Sequence, residues 1–346
     1  MKLRDYILKR LLLTIPTILG VMSITFVLSH IIPADPIVMW LGGPEAVRLA
    51  RPEVIARIRD SLHLDDPLWI QYIFYIKAVL QGDLGMSPMT HNPVIVDLIR
   101  LLPATIELAL ISMMIALIIG IVAGVMSATH KDGLADHASR IFSLLGVALP
   151  NFWLALILQL VFYYYLGWFP DPGGRMTDLT AWTHPVQRIT GFLLIDSVLT
   201  LNKVAFFDVA IHTIMPAIVL GYRSVAMITR LTRSSMLEVL NQDYIRTARA
   251  GGLKEKVIIY KHALRNALVP TVTTAGMTFS YLLSGSLAVE MVFYWPGIGW
   301  YSGQSITMLD YPAIQGVTLV VGIIFVFMNL IVDLLYGVLD PRVRYE

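Results

Sequence analysis

Few residues in this chain are placed to do chemistry, and most of them interrupt long apolar runs. Glu107, Arg223 and Asp333 each stand inside such a run. An ionisable side chain held at membrane depth is costly, and it marks a solute pathway, a relay or an ion pair. Glu107 lies near the start of its run, so lining a pathway and reaching interfacial water are both open to it. Arg223 lies about two helical turns before a basic segment. It can snorkel toward headgroups, pair with a neighbouring helix, or face a pathway. Asp333 is a candidate partner for Arg223 or for a basic loop residue. Glu290 follows a further run, and Trp295-Pro296-Gly297-Ile298-Gly299 comes after it. The Pro-Gly pair signals a tight turn. That loop suits either an outer gate or an aromatic belt at the interface.

Two uncharged features join these candidates. Pro150-Asn151 breaks a helical pattern, and a proline inside a helix frees a carbonyl. A kinked span can line a pathway, and a kink facing lipid is equally open. Gly276, Ser280, Ser284, Gly285 and Ser286 give another run a small-residue face. Such a face admits close helix approach, within this chain or from a second subunit.

Catalysis finds little support. The chain has no cysteine, which excludes disulfides, thiolate metal sites and cysteine nucleophiles. Its histidines are scattered, without a His-x-x-x-His pair. No His-Glu-x-x-His, Gly-x-Ser-x-Gly or phosphate-cradling Gly-x-x-x-x-Gly-Lys-Ser/Thr pattern occurs. The expectation is a non-enzyme with no catalytic residue, metal site or cofactor of its own. If ATP drives it, the nucleotide must sit on another polypeptide.

The elements that hold these residues must be membrane helices. Hydrophobic residues make up 56% of the 346 and charged residues only 14%. Soluble domains carry about 25% charged residues, so this surface is made for lipid. A bilayer core takes about 20 apolar residues in helix. Six segments qualify: about 8–32, 103–129, 140–169, 209–231, 267–289 and 311–337. The first is too long for a signal-peptide core and lacks a cleavage box, so it reads as an uncleaved span. The stretch 189–201 contains Asp196 and is too short to span. Basic residues favour the cytoplasmic side. They gather at the N-terminus, at 130–140, at 230–266 (eight against three acidic) and in the tail, all on one side if there are six spans. Both termini are therefore expected in the cytoplasm of a multi-pass protein. Residues 1–32 form the N-terminus and first span, 33–102 a structured outer loop, and 103–346 the transmembrane core. In the outer loop, 50–64 has helical spacing, and 69–80 is aromatic-rich, suited either to lying along the membrane surface or to packing on the spans.

The most patterned segment is 229–270, with a cytoplasmic loop at 232–266. The fourth span continues as helix through 234–240. A short helix follows over 243–250, with Asp243 placed to cap its start. Ala248 and Ala250 keep it slim, and Gly251-Gly252 end it. A third helix is expected over 253–268, with Leu253, Val257, Tyr260, Leu264 and Leu268 on one face. A slim helix with a sharp exit can lie in a partner's cleft. It can equally be a basic connector resting on headgroups.

This stretch resembles the signature loop of permease subunits of binding-protein-dependent ABC importers. The family pattern is Glu-Ala-Ala, three residues, Gly, nine residues, then Ile-any-Leu-Pro. Ala248, Gly252 and Leu264 match, while Arg246, Thr247, His262 and Arg265 depart. The departures resemble the dipeptide/oligopeptide (peptide/nickel) permease subfamily, with its DY-x-RTARA-x-G and HALRNAL-x-P. LLPATIELAL, GDLG, VFYWPGIGW, DYPAIQGV and DPRVRY do so too, in order along the chain. The resemblance implies an all-α type I ABC importer permease fold in the cell membrane. It implies that Asp243, Tyr244, Arg246, Thr247, Ala248, Arg249, Ala250, Gly251 and Gly252 dock on an ATPase subunit. It implies a second homologous permease, usually a different chain, two ATPases that bind ATP and Mg, and an extracytoplasmic solute-binding protein. The cargo would be di- or oligopeptides, or a related solute such as an oligosaccharide or nickel. A secondary transporter would instead want midplane carboxylates or internal repeats, which are not evident.

Overall fold

The structure, a computed structural model, describes residues 3–31, 37, 38, 41, 43–61, 63–284 and 286–339. Gly285 and the closing 340–346 lie outside the described residues, as does the side chain of Asp333. The described residues form helices joined by turns, with a single isolated bridge between Met86 and Pro93.

Helix α1 (Leu3–Ile31) is followed by α2 (Pro44–Leu49), α3 (Pro52–Ser61) and α4 (Leu68–Leu80). The helical spacing expected over 50–64 is present as α3, and the aromatic-rich stretch forms α4. Helix α4 packs on the first span: Tyr72 shares a hydrogen bond of 2.6 Å with Ser23 and meets Phe26 edge-on.

Two long helices organise the rest. Helix α5 (Val94–Thr129) has 36 residues and α10 (Lys203–Leu240) has 38. At 1.5 Å per residue each is over about 50 Å long, more than a bilayer core needs, so their ends project from it. Both begin earlier than hydropathy suggests. Pro103 marks no helix start; it sits inside α5, which opens after Pro93. Helix α10 opens at Lys203 because the Asn202 side chain accepts the Ala205 N–H at 3.1 Å. Charges in the opening turns, Asp97 and Arg100 in α5 and Lys203 and Asp208 in α10, hid both starts. The two helices run parallel and nearly in step, and glycines let them touch. A Cβ on Gly120 would sit 2.7 Å from Ile228, and one on Gly221 would sit 2.8 Å from the Ser112 carbonyl. Gly120 and Gly124 are four apart, the spacing that brings membrane helices into backbone contact.

The segment expected as one span over 140–169 is two helices. Helix α6 (Leu134–Ala148) meets α7 (Asn151–Leu158) and its π-helical continuation (159–165) at 111°. Pro150 has no N–H to give and forces Leu149 into extended backbone, at φ −84° and ψ 129°. The outcome is an elbow, sharper than a kink. Short helices α8 (Asp178–Thr183) and α9 (Leu193–Leu199) form the next connection. After α10 come α11 (Asp243–Ala250), the single turn α12 (Glu255–Val257), a π-helical turn (Ile258–Ala263), and α13 (Leu264–Ser284). Then follow α14 (Leu287–Val292), α15 (Ile298–Thr307) and α16 (Tyr311–Leu339). Helix α16 packs between α1 and α13: Gly322 abuts Val21, and Gly276 abuts Val332. The small face of α13 is therefore used, at Gly276, within this chain.

Among the described residues, α1, α5, α10 and α16 are long and apolar enough to cross a membrane, and α6 with α7 makes a fifth if the bent pair is one span. Helix α13 has the length, at 21 residues, but six Thr and Ser residues dilute its apolar character.

Candidate functional site

The segment 241–263 forms a hook at one end of the bundle. Helix α11 is charged and exposed except at Ile245, which is fully buried. Ile245 enters a cluster of Val125, Met236, Val239, Ile258, Ala263 and Ala267, so α5, α10 and α13 all seat the hook. Ala248 packs on the same cluster. Tyr244 is half-exposed and its Oη accepts from Asn266 Nδ2 at 2.7 Å. Asp243 does not cap the helix. Gln242 holds the cap position without a side-chain bond, and Asp243, already helical, pairs with Arg246 at 3.4 Å. Thr247 Oγ1 donates to the Asp243 carbonyl at 3.0 Å. The exit is as expected: Gly252 adopts φ +75°, and the N–H of Leu253 returns to the Ala248 carbonyl. Arg249 and Glu255 close a 2.7 Å ion pair across Gly251-Gly252. The Arg249 guanidinium holds the Glu255 carboxyl below its ordinary range, and Glu255 raises Arg249 in return.

The face expected for the third helix is corrected. Leu253 and Tyr260 are exposed, while Ile258, Ala263 and Ala267 are buried. Leu253 precedes the helix, which starts at Glu255, and Tyr260 falls in the π-helical turn, whose extra residue swings the face after it by about 100°.

Beside the hook lies a residue that sequence inspection missed. Asp136, in the first turn of α6, is wholly buried. Its carboxylate accepts from Ser127 Oγ at 2.5 Å, Arg233 Nε at 2.6 Å, Arg233 Nη2 and Arg140 Nη2 at 2.8 Å, and the Asp132 N–H at 3.0 Å.

At the opposite end, carboxylates hold loops. Glu107 is buried, with Arg175 as its ion-pair partner, and accepts the N–H groups of Leu193 and Leu194 at 3.1 and 2.8 Å. It is thus a staple from α5 to the 170–200 connection, with both carboxylate oxygens engaged. Arg175 also lies over the Trp295 ring, 5.5 Å from its centroid. Glu290, fully buried, accepts from Thr105 Oγ1 at 2.8 Å and from the Trp300 N–H at 3.0 Å. Thr105 Oγ1 takes the Ile298 N–H, and Trp295 Nε1 donates to the Ala104 carbonyl. The Trp-Pro-Gly loop is therefore inside the protein at Trp295 and is no membrane belt there. Asp196 accepts from Thr190 and from the N–H groups of Ile189, Thr190 and Gly191. Burial pushes its pKa up, but these donors outweigh it and hold the carboxyl low. Asp310 binds Ser87, and Asp97 binds Thr90 and Tyr301. Burial pushes the Tyr301 phenol up to about 12, so it stays a donor.

The remaining candidates scatter. Arg223 is exposed on α10 with its guanidinium 5.8 Å from the Tyr281 ring centroid, a cation–π contact. Pro150 and Asn151 form the elbow. Ser280 is buried on α13 and its hydroxyl has no partner. Ser284 lines an open groove of about 810 Å³ between α1, α13, α15 and α16, with Thr17, Ser302, Thr318 and Asn329 among its polar groups. Ser286, Ile298 and Gly299 also line it, while Glu107, Pro150, Asn151, Arg223, Ser280 and Glu290 do not. No group of three His, Asp or Glu among the described residues could hold a metal ion. Neither Arg175 nor Asp136 carried a local signal: Arg175 stands between Asp171 and Asp178 in a Pro-Gly-Gly turn, and Asp136 between Asp132 and Arg140.

Membrane-length helices, stapled loops at one end and an exposed hook at the other define a polytopic membrane protein. The chain belongs to the family described as the binding-protein-dependent transport system inner membrane component, whose profile matches residues 120–345. The profile of the N-terminal part of such membrane components matches residues 3–109. It is 42% identical over 340 residues to the dipeptide transport system permease protein of Alkalihalophilus pseudofirmus, covering 98% of this chain and 99% of the relative. It is 42% identical over 342 residues to the di/tripeptide transport system permease protein of Pseudomonas aeruginosa, covering 99% of each. It is 38% identical over 342 residues to the oligopeptide transport system permease protein of Bacillus subtilis, covering 98% and 99%. It is thus a membrane permease component of ABC importers, in the type I permease fold, rather than an enzyme. That family works with a solute-binding protein and with ATPase subunits.

Proposed function

We propose that this chain forms half of the translocation pathway of a di- or oligopeptide importer and takes its power stroke at 244–252. The observation that carries the reading is the hook. A charged, exposed helix is anchored at one buried residue, Ile245, and leaves through a left-handed Gly252, so it presents a free face on a firm seat. A partner ATPase fits that face, and ATP and Mg belong to that subunit. The relatives' names favour peptides over oligosaccharide or nickel. The groove at Ser284 would lie toward the second permease, which we take to be a different, homologous chain. The elbow pair would count as one span and α13 as another, giving six, with both termini in the cytoplasm of a cell-membrane protein.

Affinity purification of the chain from its native membrane tests this, beside Gly252→Trp. No atom lies within 4 Å of where a Cβ would be built on Gly252, but φ +75° strains any side chain, so the substitution disturbs the hook and its exposed face. A second permease and ATPases should accompany the native chain, and the ATPases should be lost from the variant. A native chain that emerges alone and transports in liposomes without ATP overturns the reading.

A further inference from the structure

We propose that Asp136 and Arg233 are the tie through which the hook moves α6, which makes them positioning residues for the transport cycle. The inference rests on the coupling reading above and adds the route by which the motion leaves the hook.

Helix α10 is unbroken from Lys203 to Leu240, and Arg233 lies seven residues before its end. Only Asn241 and Gln242 separate that end from α11. A push on the hook therefore reaches Arg233 through less than two turns of rigid helix. Arg233 meets Asp136 with two nitrogens, at 2.6 and 2.8 Å, one to each carboxylate oxygen. Such a fork transmits orientation as well as position. Asp136 is locked on its own side by Arg140 and the Asp132 N–H, so it moves with the start of α6.

Farther along, α6 leans on α10 at two places: the Phe142 carbonyl accepts from Tyr222 Oη at 3.1 Å, its ring meeting Tyr222 edge-on, and Gly146 abuts Ala226. Asp136, Ser143 and Gly146 are its buried residues, and its apolar side chains face outward, Leu144 at 67% exposure. Its far end is the Leu149–Pro150 elbow. A rod of 15 residues, forked to α10 at its start, resting on it at Phe142 and Gly146 and hinged at its far end, tilts against α10 as a lever when the fork moves. Beyond the elbow, Gln159 Nε2 donates to the Val292 carbonyl at 3.1 Å, two residues from Glu290. The lever thus ends against the stapled cap at the opposite face of the bundle. Physical continuity alone does not make a coupling route; an element with two positions must be demonstrated.

The chain has no cysteine, which permits a direct test in the full importer with its ATPases. Spin labels at Ile118→Cys with Lys254→Cys, just past the docking face, report hook motion, and at Ile118→Cys with Leu144→Cys report lever motion. Distances are read without nucleotide and with ATP plus vanadate. In the native background both distances should change. With Arg233→Lys, which keeps the charge and loses the fork, the hook distance should still change and the lever distance should change by much less. Asp136→Asn, the closest isostere, should repeat that loss. A lever distance that changes equally in the variants overturns the tie. So does a native lever that stays still while the hook moves, or a variant in which both motions vanish together. If neither distance responds to ATP in the native chain, the coupling reading itself falls.

Discussion

The two ends of this bundle solve opposite problems with the same residue types. At the end bearing the 170–200 connection, five buried carboxylates (Asp97, Glu107, Asp196, Glu290 and Asp310) each collect hydroxyl or backbone donors from neighbouring turns. At the hook end, Asp136 is the buried carboxylate among the described residues, and the charges of α11 lie in the open. A buried carboxylate with several donors fixes geometry, because losing any donor strands a charge. An exposed pair fixes little. The first end is a rigid cap, and the second is left free to be gripped and moved.

That contrast is tested most severely at Glu107. Glu107→Ala strands the buried Arg175, and removing one partner of such a pair costs about 3–5 kcal/mol. The purified chain should lose thermal stability by a margin that no hook substitution matches. If Glu107→Ala melts like the native chain, the cap is not rigid. Next is Ile245→Ala, which empties the hook's one socket. Large-to-small core changes cost about 2–5 kcal/mol. Hydrogen exchange should speed up over 241–263 while the 170–200 connection stays protected. Exchange that rises in both regions would join the two ends into one cooperative unit. A smaller effect is expected at Thr105→Val, which takes a donor from Glu290 and leaves the Ile298 N–H without its acceptor. Unmet buried groups cost about 1–3 kcal/mol each, to be seen as a lower melting temperature without loss of ATPase binding.

The smallest belongs to Glu255→Gln. Both partners of the Arg249 pair are about half exposed, so the pair is screened and contributes about 0–1 kcal/mol. The sign follows from the direction of the shift. The Glu255 carboxyl is held below its unfolded value, so its stabilisation is complete above that value, about 4.3, and fades as pH falls through the folded one. Native and variant hooks should differ slightly at neutral pH, in low salt, and converge in acid. A gap that widens in acid would mean that the pair is not the cause.

Much of this was written plainly in the chain. The hook's bounds follow from Gln242-Asp243 before a charged stretch and from Gly251-Gly252 after it. The elbow was visible in Pro150, though not its angle, which depends on how α6 and α7 each find a surface to lie on. Partners far apart in the chain were not legible. Glu107 and Arg175 are 68 residues apart, and nothing local marks them as a pair. Hydropathy also says nothing of side-chain size, so Gly120, Gly124 and Gly221 passed as ordinary members of apolar runs. The outward turn of Tyr260 needed the π-helical geometry of 258–263, which a period of 3.6 cannot express.

The pairing of Asp136 with Arg233 also sets an order of events during synthesis. The two lie 97 residues apart. At about 5–20 residues per second, a ribosome needs about 5–20 s to reach the second after making the first. For that interval α6 has no fork to close on and Asp136 has only its near neighbours. The start of α6 can therefore be buried only after α10 has been made and laid beside α5. The lever is the last piece of its neighbourhood to settle, although it is made before the helix that holds it.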